Sequence, residues 1–412
     1  MITLALERLM DTAARQIGID NVEIRLRNLI DEFPHTSPTG LVYDEGTYRE
    51  ALRAAVDHLD LGRFRDEQRV AWSQGRYLGI GFSTFSERTG YGTSAFASRN
   101  MDVTLGYEDV TLEMDPSGGV ELRIGASPHG QGLRTTLSQV VADELGLDPS
   151  LVRVSHGDTD RDPYGWGSFA SRAMVIAGGA AKIAGTRLNE QVVAIAAEML
   201  EAAPEDVRLE DGRAIVAGTN VGVSIPEIAR LAYHRRERSG GAEGLSVRAT
   251  YDPSGTFSNA CHVATVEVDP ETGAVEVVDF LVVEDAGVLV NPMIVDGQIH
   301  GGVCQGIANA LYEGLHYDEV GNLSTASLMD YLSPTVAEIP HIEIVHRETR
   351  TDASLLGAKG VGEGGTIGAP AAVVNAVNDA LSPFGVTFDH MPVTPSRVRA
   401  ELRDRIHDRS AS

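Results

Sequence analysis

Leu4, Leu6, Leu9, Ala13 and Ile17, then Val22, Ile24, Leu26 and Ile30, recur near the helical period, which predicts helix through most of residues 1–72. A Pro/Thr/Gly stretch at 33–40 interrupts it, and a further helix is expected over 48–59. So much apolar helix cannot bury itself, so the segment is expected to complete or dock against another half of the fold. The pattern then turns to strands: YLGIGFSTF, VTLEM and VELRIGAS, the last two joined by Asp115-Pro116-Ser117-Gly118-Gly119, a tight-turn sequence. Helices are expected over 133–145 and, Ala-rich, over about 174–200. RSGGAEG at 238–244 reads as an internal boundary. Beyond it a second long hairpin turns at Asp269-Pro270-Glu271-Thr272-Gly273, and a helix follows from about 292 to 315. Both halves carry a strand ending in Asp-Pro, a Gly turn, a returning strand and a helix whose start carries Gly-Gln, which reads as a diverged internal repeat. The expectation is an α+β protein: two related units, 73–240 and 241–412, facing a common cleft, with the helical segment 1–72 attached.

Composition narrows the chemistry. Lys and Arg number 34 against 59 Asp and Glu, a net charge of −25. Nucleic-acid binding needs clustered cations, and every broad region here is neutral or acidic. Two cysteines, Cys261 and Cys304, cannot build a disulfide framework, a four-thiolate zinc site or an iron–sulfur cluster. No signal-peptide pattern and no unbroken run of about 18 apolar residues occurs, so the sequence reads as a cytoplasmic chain without a membrane span.

Four segments could carry chemistry. Ser127-Pro128-His129-Gly130-Gln131-Gly132 leads into a helix, where glycines let backbone amides approach a ligand and the helix start favours anionic oxygens; an ordinary turn is an equal reading. Gly167-Ser168-Phe169-Ala170-Ser171-Arg172 enters the Ala-rich helix; helix capping explains the hydroxyls, and the Arg172 fork could grip phosphate. Asp296 to Gly306 places Gln298 and three glycines, Gly301, Gly302 and Gly306, within a helical pattern at about 1 kcal/mol each relative to Ala, so close packing or a ligand must compensate. Last, Gly357 to Gly368 sets one carboxylate, Glu363, in a glycine-lined bend before the helix APAAVVNAVNDAL. A carboxylate pressed there against a large ligand would be desolvated toward the range useful for a general base; a solvated loop is the bland alternative. No His-Glu-x-x-His, Cys-x-x-Cys, Gly-x-Ser-x-Gly or Gly-Lys-Ser/Thr occurs, which disfavours a protein-ligated metal, a serine hydrolase and a nucleotide-binding hydrolase.

Read in order, GQGLRTTLSQVVADELG, GSFASRAMVIAGGAA, GQIHGGVCQGIANALYEG, DYLSPTVAEIP and GAKGVGEGGTIGAPAAVVNAVNDAL resemble the molybdenum-binding subunit of the xanthine oxidase and aerobic carbon monoxide dehydrogenase family of molybdenum hydroxylases, which also includes aldehyde oxidases. The resemblance covers nearly all of this chain but only the C-terminal half of that subunit. It implies that Glu363 is the active-site base, which deprotonates the metal-bound hydroxyl. It implies that Gly130 and Gln131 contact the pterin, and that Ser168, Phe169, Ala170, Ser171, Arg172, Gln298 and Gly362 also serve the cofactor. Phe82, in Gly79-Ile80-Gly81-Phe82-Ser83, would line the substrate pocket, with Ser83 where xanthine-type enzymes carry threonine.

The cofactor implied is molybdenum–molybdopterin, in the cytosine dinucleotide form of bacterial members, held without protein metal ligands. The implied partners are a chain supplying the N-terminal half, a 2Fe-2S chain, an FAD chain and a small-molecule substrate, an N-heterocycle, an aldehyde or a similar carbon centre oxidised with oxygen from water. The alternative is a non-catalytic scaffold or truncated remnant of such a subunit.

Overall fold

Two interleaved strand-and-helix units and an N-terminal helical layer make up the computed structural model, which describes residues 2–101, 103–235 and 244–410, with side chains for all of these but 404 and 406–410. The chain begins with α1 (Ile2–Ile17), α2 (Asn21–Asn28), a two-residue ribbon of β1 (His35–Thr36) and β2 (Val42–Tyr43), then α3 (Tyr48–Leu59) and α4 (Leu61–Ser73). There follow β3 (Tyr77–Thr89), α5 (Thr93–Ala97), the hairpin β4 (Glu108–Met114) and β5 (Val120–Ile124), α6 (Leu133–Leu145), β6 (Val152–His156) and α7 (Ala173–Leu200). A small sheet of β7 (Val207–Glu210), β8 (Arg213–Val216) and β9 (Gly222–Ser224) precedes α8 (Ile225–His234) and β10 (Leu245–Tyr251). The second long hairpin is β11 (Thr256–Val268) and β12 (Val275–Asp285), followed by α9 (Pro292–Leu311), β13 (Ile342–Arg347), α10 (Gly364–Ala380) and α11 (Pro395–Ser410).

The repeat read from the sequence is visible in the sheets. One runs β10-β4-β5-β6 and the other β3-β11-β12-β13, and in both two antiparallel pairings are followed by a parallel edge, β5 with β6 and β12 with β13. A helix, α6 or α9, crosses between the parallel strands of each, and a second, α7 or α10, follows the last. The units also exchange strands across the expected boundaries: β3 pairs with β11 along its whole length, and β10 pairs with β4. The boundary expected at 238–244 lies outside the described residues, apart from Gly244.

Small residues set the helix contacts in the second unit. Cβ atoms on Gly79 and Gly81 would lie 2.1 and 2.2 Å from the carbonyl oxygens of Ala376 and Ala372 on α10, so β3 can approach that helix only as glycine backbone. Gly302 of α9 would likewise place a Cβ 2.7 Å from the Cα of Gly365. The helical glycines therefore compensate for their propensity cost partly by close helix crossing.

The opposite face of the second sheet carries the N-terminal helices. Ile80, Phe82, Cys261, Val263, Leu281 and Val283 pack there against Val22, Ala51, Leu52 and Ala55. Arg25 of α2 is 1% exposed and joins Glu7 (2.6 Å) and Asp11 (2.7 Å) of α1. Arg8 reaches Asn375 of α10 at 2.9 Å. Helix α1 thus buries its charged stripe, while Leu6, Leu9 and Ile17 are more than half exposed. Among the described residues no helix is long and apolar enough to cross a membrane.

Candidate active site

Each unit sends two helix N-termini into one cleft: α6 and α7 from the first, α9 and α10 from the second. Leu133 and Thr136, Ala173 and Met174, Ile294, Val295 and Gln298, and the N-cap residue Glu363 all line it. Four positive dipole ends face this space, an arrangement suited to anionic oxygens, although α9 opens on Pro292 with Asn291 capping the Ile294 amide and Ser171 takes the Glu363 amide. Its volume is about 330 Å³, at the lower end for a small-molecule pocket.

The structure brings most of the expected site residues together here. Gln131, Ser168, Phe169, Ala170, Ser171, Arg172, Gln298, Gly362 and Glu363 line the cleft. Gly130 stands between the lining residues His129 and Gln131 at φ 108°, and a Cβ built on it meets no atom within 4 Å. The side chain of Gln131 is fixed at both ends: its Oε1 accepts from the His129 amide at 2.7 Å, and its Nε2 donates to Ser168 Oγ at 3.3 Å. Ser168 in turn donates to the Ser127 carbonyl at 2.9 Å. One amide proton and one lone pair of Gln131 remain for a ligand. Ala170 and Ser171 both adopt left-handed backbone, φ 49°, a strained pair that turns the chain into α7 along the cleft wall.

Two residues sit differently from expectation. The Arg172 guanidinium is turned inward to Glu108 (3.2 Å) and to the carbonyls of Gly106, Tyr107 and Gly167 (each 3.0 Å), so it anchors the loop and offers no fork to the cleft. Phe82 is fully buried on the other face of the sheet, among the N-terminal helices, and does not line the cleft. Strand alternation explains this: the odd positions of β3, Gly79, Gly81, Phe85 and Glu87, face α10 and the Glu363 loop, and the even ones face away. Phe85 is the aromatic on the site face, in contact range of Gly364.

Sequence reasoning missed a group of buried acids behind the cleft. Glu87 on β3 accepts from Ser171 Oγ at 2.5 Å, and Ser171 Oγ accepts the Glu363 amide at 3.0 Å. Glu284 on β12 is fully buried, and among the described residues neither of its carboxyl oxygens has a hydrogen-bond partner. Burial, with Glu87 and Asp285 nearby, raises Glu284 well above the ordinary carboxyl range, against the opposing pull of Lys359. Burial pushes Glu87 up to about 8, offset by the Ser171 bond and reinforced by Glu363. Burial also outweighs Arg172 at Glu108, raised to about 7. His262, enclosed by Phe85 and Phe280, is pushed down to about 3 by burial and is neutral. Glu87 and Glu284 are therefore largely uncharged near neutral pH, whereas Glu108 is paired with Arg172. Held neutral, Glu87 and Glu284 add little negative charge behind the helix N-termini.

The residues fit a phosphorylated pterin on this set: four converging helix N-termini, a pre-oriented glutamine and an open glycine beside it. Among the described residues no group of three or more His, Cys, Asp or Glu could hold a metal ion directly; a dithiolene-held metal requires none.

A family model described as the molybdopterin cofactor-binding domain matches residues 54–340. The nicotine 6-hydroxylase large subunit of Paenarthrobacter nicotinovorans is 44% identical over 400 residues, 96% of this chain and 49% of that protein. The carbon monoxide dehydrogenase large chain of Hydrogenophaga pseudoflava is 36% identical over 97% of this chain and 50% of its own length. Among solved structures, quinoline 2-oxidoreductase from Pseudomonas putida 86 superposes with a TM-score of 0.91 at 40% identity, covering 98% of this chain and 52% of that one. The chain thus spans about half the length of the curated relatives it matches. With the cleft, the repeat and these matches in agreement, the chain belongs to the molybdopterin cofactor-binding domain family found in the large subunits of molybdenum hydroxylases.

Proposed function

We propose that this chain is the C-terminal half of the cofactor-binding subunit of a multi-subunit molybdenum hydroxylase that oxidises a carbon centre with oxygen from water. The observation that carries the reading is Glu363 at the N-terminus of α10, open to the same cleft as Gln131 and Gln298. When bound, the molybdenum cofactor supplies the two-electron oxidant. The helix starts of α6, α7, α9 and α10 hold its anionic groups, and Gln131, Gly130, Gln298 and the Ser168–Ser171 loop hold the pterin. The bacterial-type motifs favour the cytosine dinucleotide form, and release of CMP on acid hydrolysis would identify it. Glu363 holds a proton taken from the attacking oxygen nucleophile.

Nicotine and quinoline, named for the relatives at 44% and 40% identity, favour an N-heterocycle as the substrate class. The two cysteines preclude a cluster on this chain, so 2Fe-2S and FAD chains accept the electrons. The half of the relatives' length not matched here completes the site. Two surfaces fit it: the outward apolar stripe of α1, and the irregular segment where Leu328, Met329 and Val336 are 86%, 88% and 91% exposed.

The test is Glu363→Gln in the assembled complex. Turnover is expected to fall at least a thousandfold with molybdenum content unchanged, because the shape survives and only the proton acceptor is lost; near-normal turnover would refute the reading.

A further inference from the structure

The second sheet brings an unassigned carboxyl to the back of the Glu363 loop. Glu87 stands near the end of β3, 8% exposed, on the face turned to that loop. One of its oxygens takes the Ser171 hydroxyl, which itself takes the Glu363 amide, so a chain of two hydrogen bonds already ties the loop backbone to β3. The other oxygen is buried and has no hydrogen-bond partner among the described residues, and the Glu363 carboxyl lies close enough to the Glu87 carboxyl to interact with it. A buried polar atom left without a partner is costly unless it is used.

Resting on the reading of Glu363 as the base, we propose that Glu87 is its positioning residue: a neutral acid that accepts Ser171 through one oxygen and donates its own O–H to the Glu363 carboxylate through the other. The loop is then gripped at both backbone and side chain. Ionised Glu87 has no proton to donate and sets a like charge beside Glu363, so the grip is lost as it titrates.

The surroundings keep Glu87 neutral. From β12 the fully buried Glu284 faces it; beyond that, Asp285 lies 3.8 Å from Lys359, whose ammonium also bonds the Glu45 carbonyl. From β11 the nearest titratable ring is neutral His262. Arg172, on the flank, is occupied by Glu108. Burial and the Glu363 charge hold the Glu87 proton on up to about pH 8.

The experiment uses the assembled holoenzyme with Glu87→Gln and Glu87→Ala, and Glu363→Gln as control. Infrared spectra across a pH titration should show a protonated-carboxyl C=O band that disappears with a midpoint near the Glu87 value of about 8, and that is absent from Glu87→Gln. Glu87→Ala should lower kcat about tenfold or more with KM little changed. Glu87→Gln, which keeps an acceptor for Ser171 and a donor for Glu363, should recover most of that loss while removing the alkaline decline in kcat. The proposal is overturned if the band and the alkaline decline persist in Glu87→Gln, or if Glu87→Ala keeps full kcat. An active Glu363→Gln would instead refute the assignment of the base, so the two failures are separable.

Discussion

At the scale of single residues, the sign of a position along β3 decides its role. Phe82 and Phe85 are three apart, so one faces the N-terminal helices and the other the cleft. Phe82 has no exposed surface and sits beside Ile80, Leu52 and Val263. Phe82→Ala should therefore cost about 3–5 kcal/mol of stability through the cavity it leaves, read by denaturant unfolding, rather than change substrate selectivity. A shift in KM ratios between substrates with stability intact would contradict this placement. Residue chemistry also shows what the sequence conveyed and what it hid. Glu363 stood out because glycines surround it in the chain. Glu87 and Glu284 did not, because they lie 276 and 79 residues from it and only the pairing of β3, β11 and β12 brings them behind it.

Among the elements, most helices and both hairpins are legible from periodicity and turn residues: α6 spans the expected 133–145, and α3 the expected 48–59. Two features were not. Helix α10 begins at Gly364, several residues before the Ala-rich run, where Gly365 permits close approach to α9 and Gly368 to His262, and Pro370 lies within its early turns. Local propensity argues against helix there, and tertiary packing overrides it. The exchange of β3 and β10 between sheets was equally hidden, since strand pairing over about 130 to 190 residues leaves no local mark. The crossing of α9 and α10 has a direct test in Gly302→Ala. Its Cβ would stand 2.7 Å from Gly365, two residues after Glu363. The helices must part, costing about 1–3 kcal/mol, with molybdenum content of the purified complex falling in parallel. Wild-type stability and loading would show that the crossing does not set the cleft.

For the molecule as a whole, the two repeats matter because they face each other. Neither unit alone supplies the cleft: Gln131 and the Ser168–Ser171 loop come from one, Gln298 and Glu363 from the other. Glu363 is the one carboxyl among the cleft-lining residues, Glu87 and Glu284 behind it are held neutral by burial, and helix N-termini present positive potential. The outward apolar stripe of α1 and the segment around Met329 leave exposed apolar surface away from the cleft. The most direct measurement is anomalous X-ray diffraction at the molybdenum edge on crystals of the complex purified with its partner chains. The account predicts one molybdenum per copy, in the cleft between Gln131 and Gln298, beside the Glu363 carboxyl. Molybdenum elsewhere, or a Glu363 side chain turned away from it, would contradict the account.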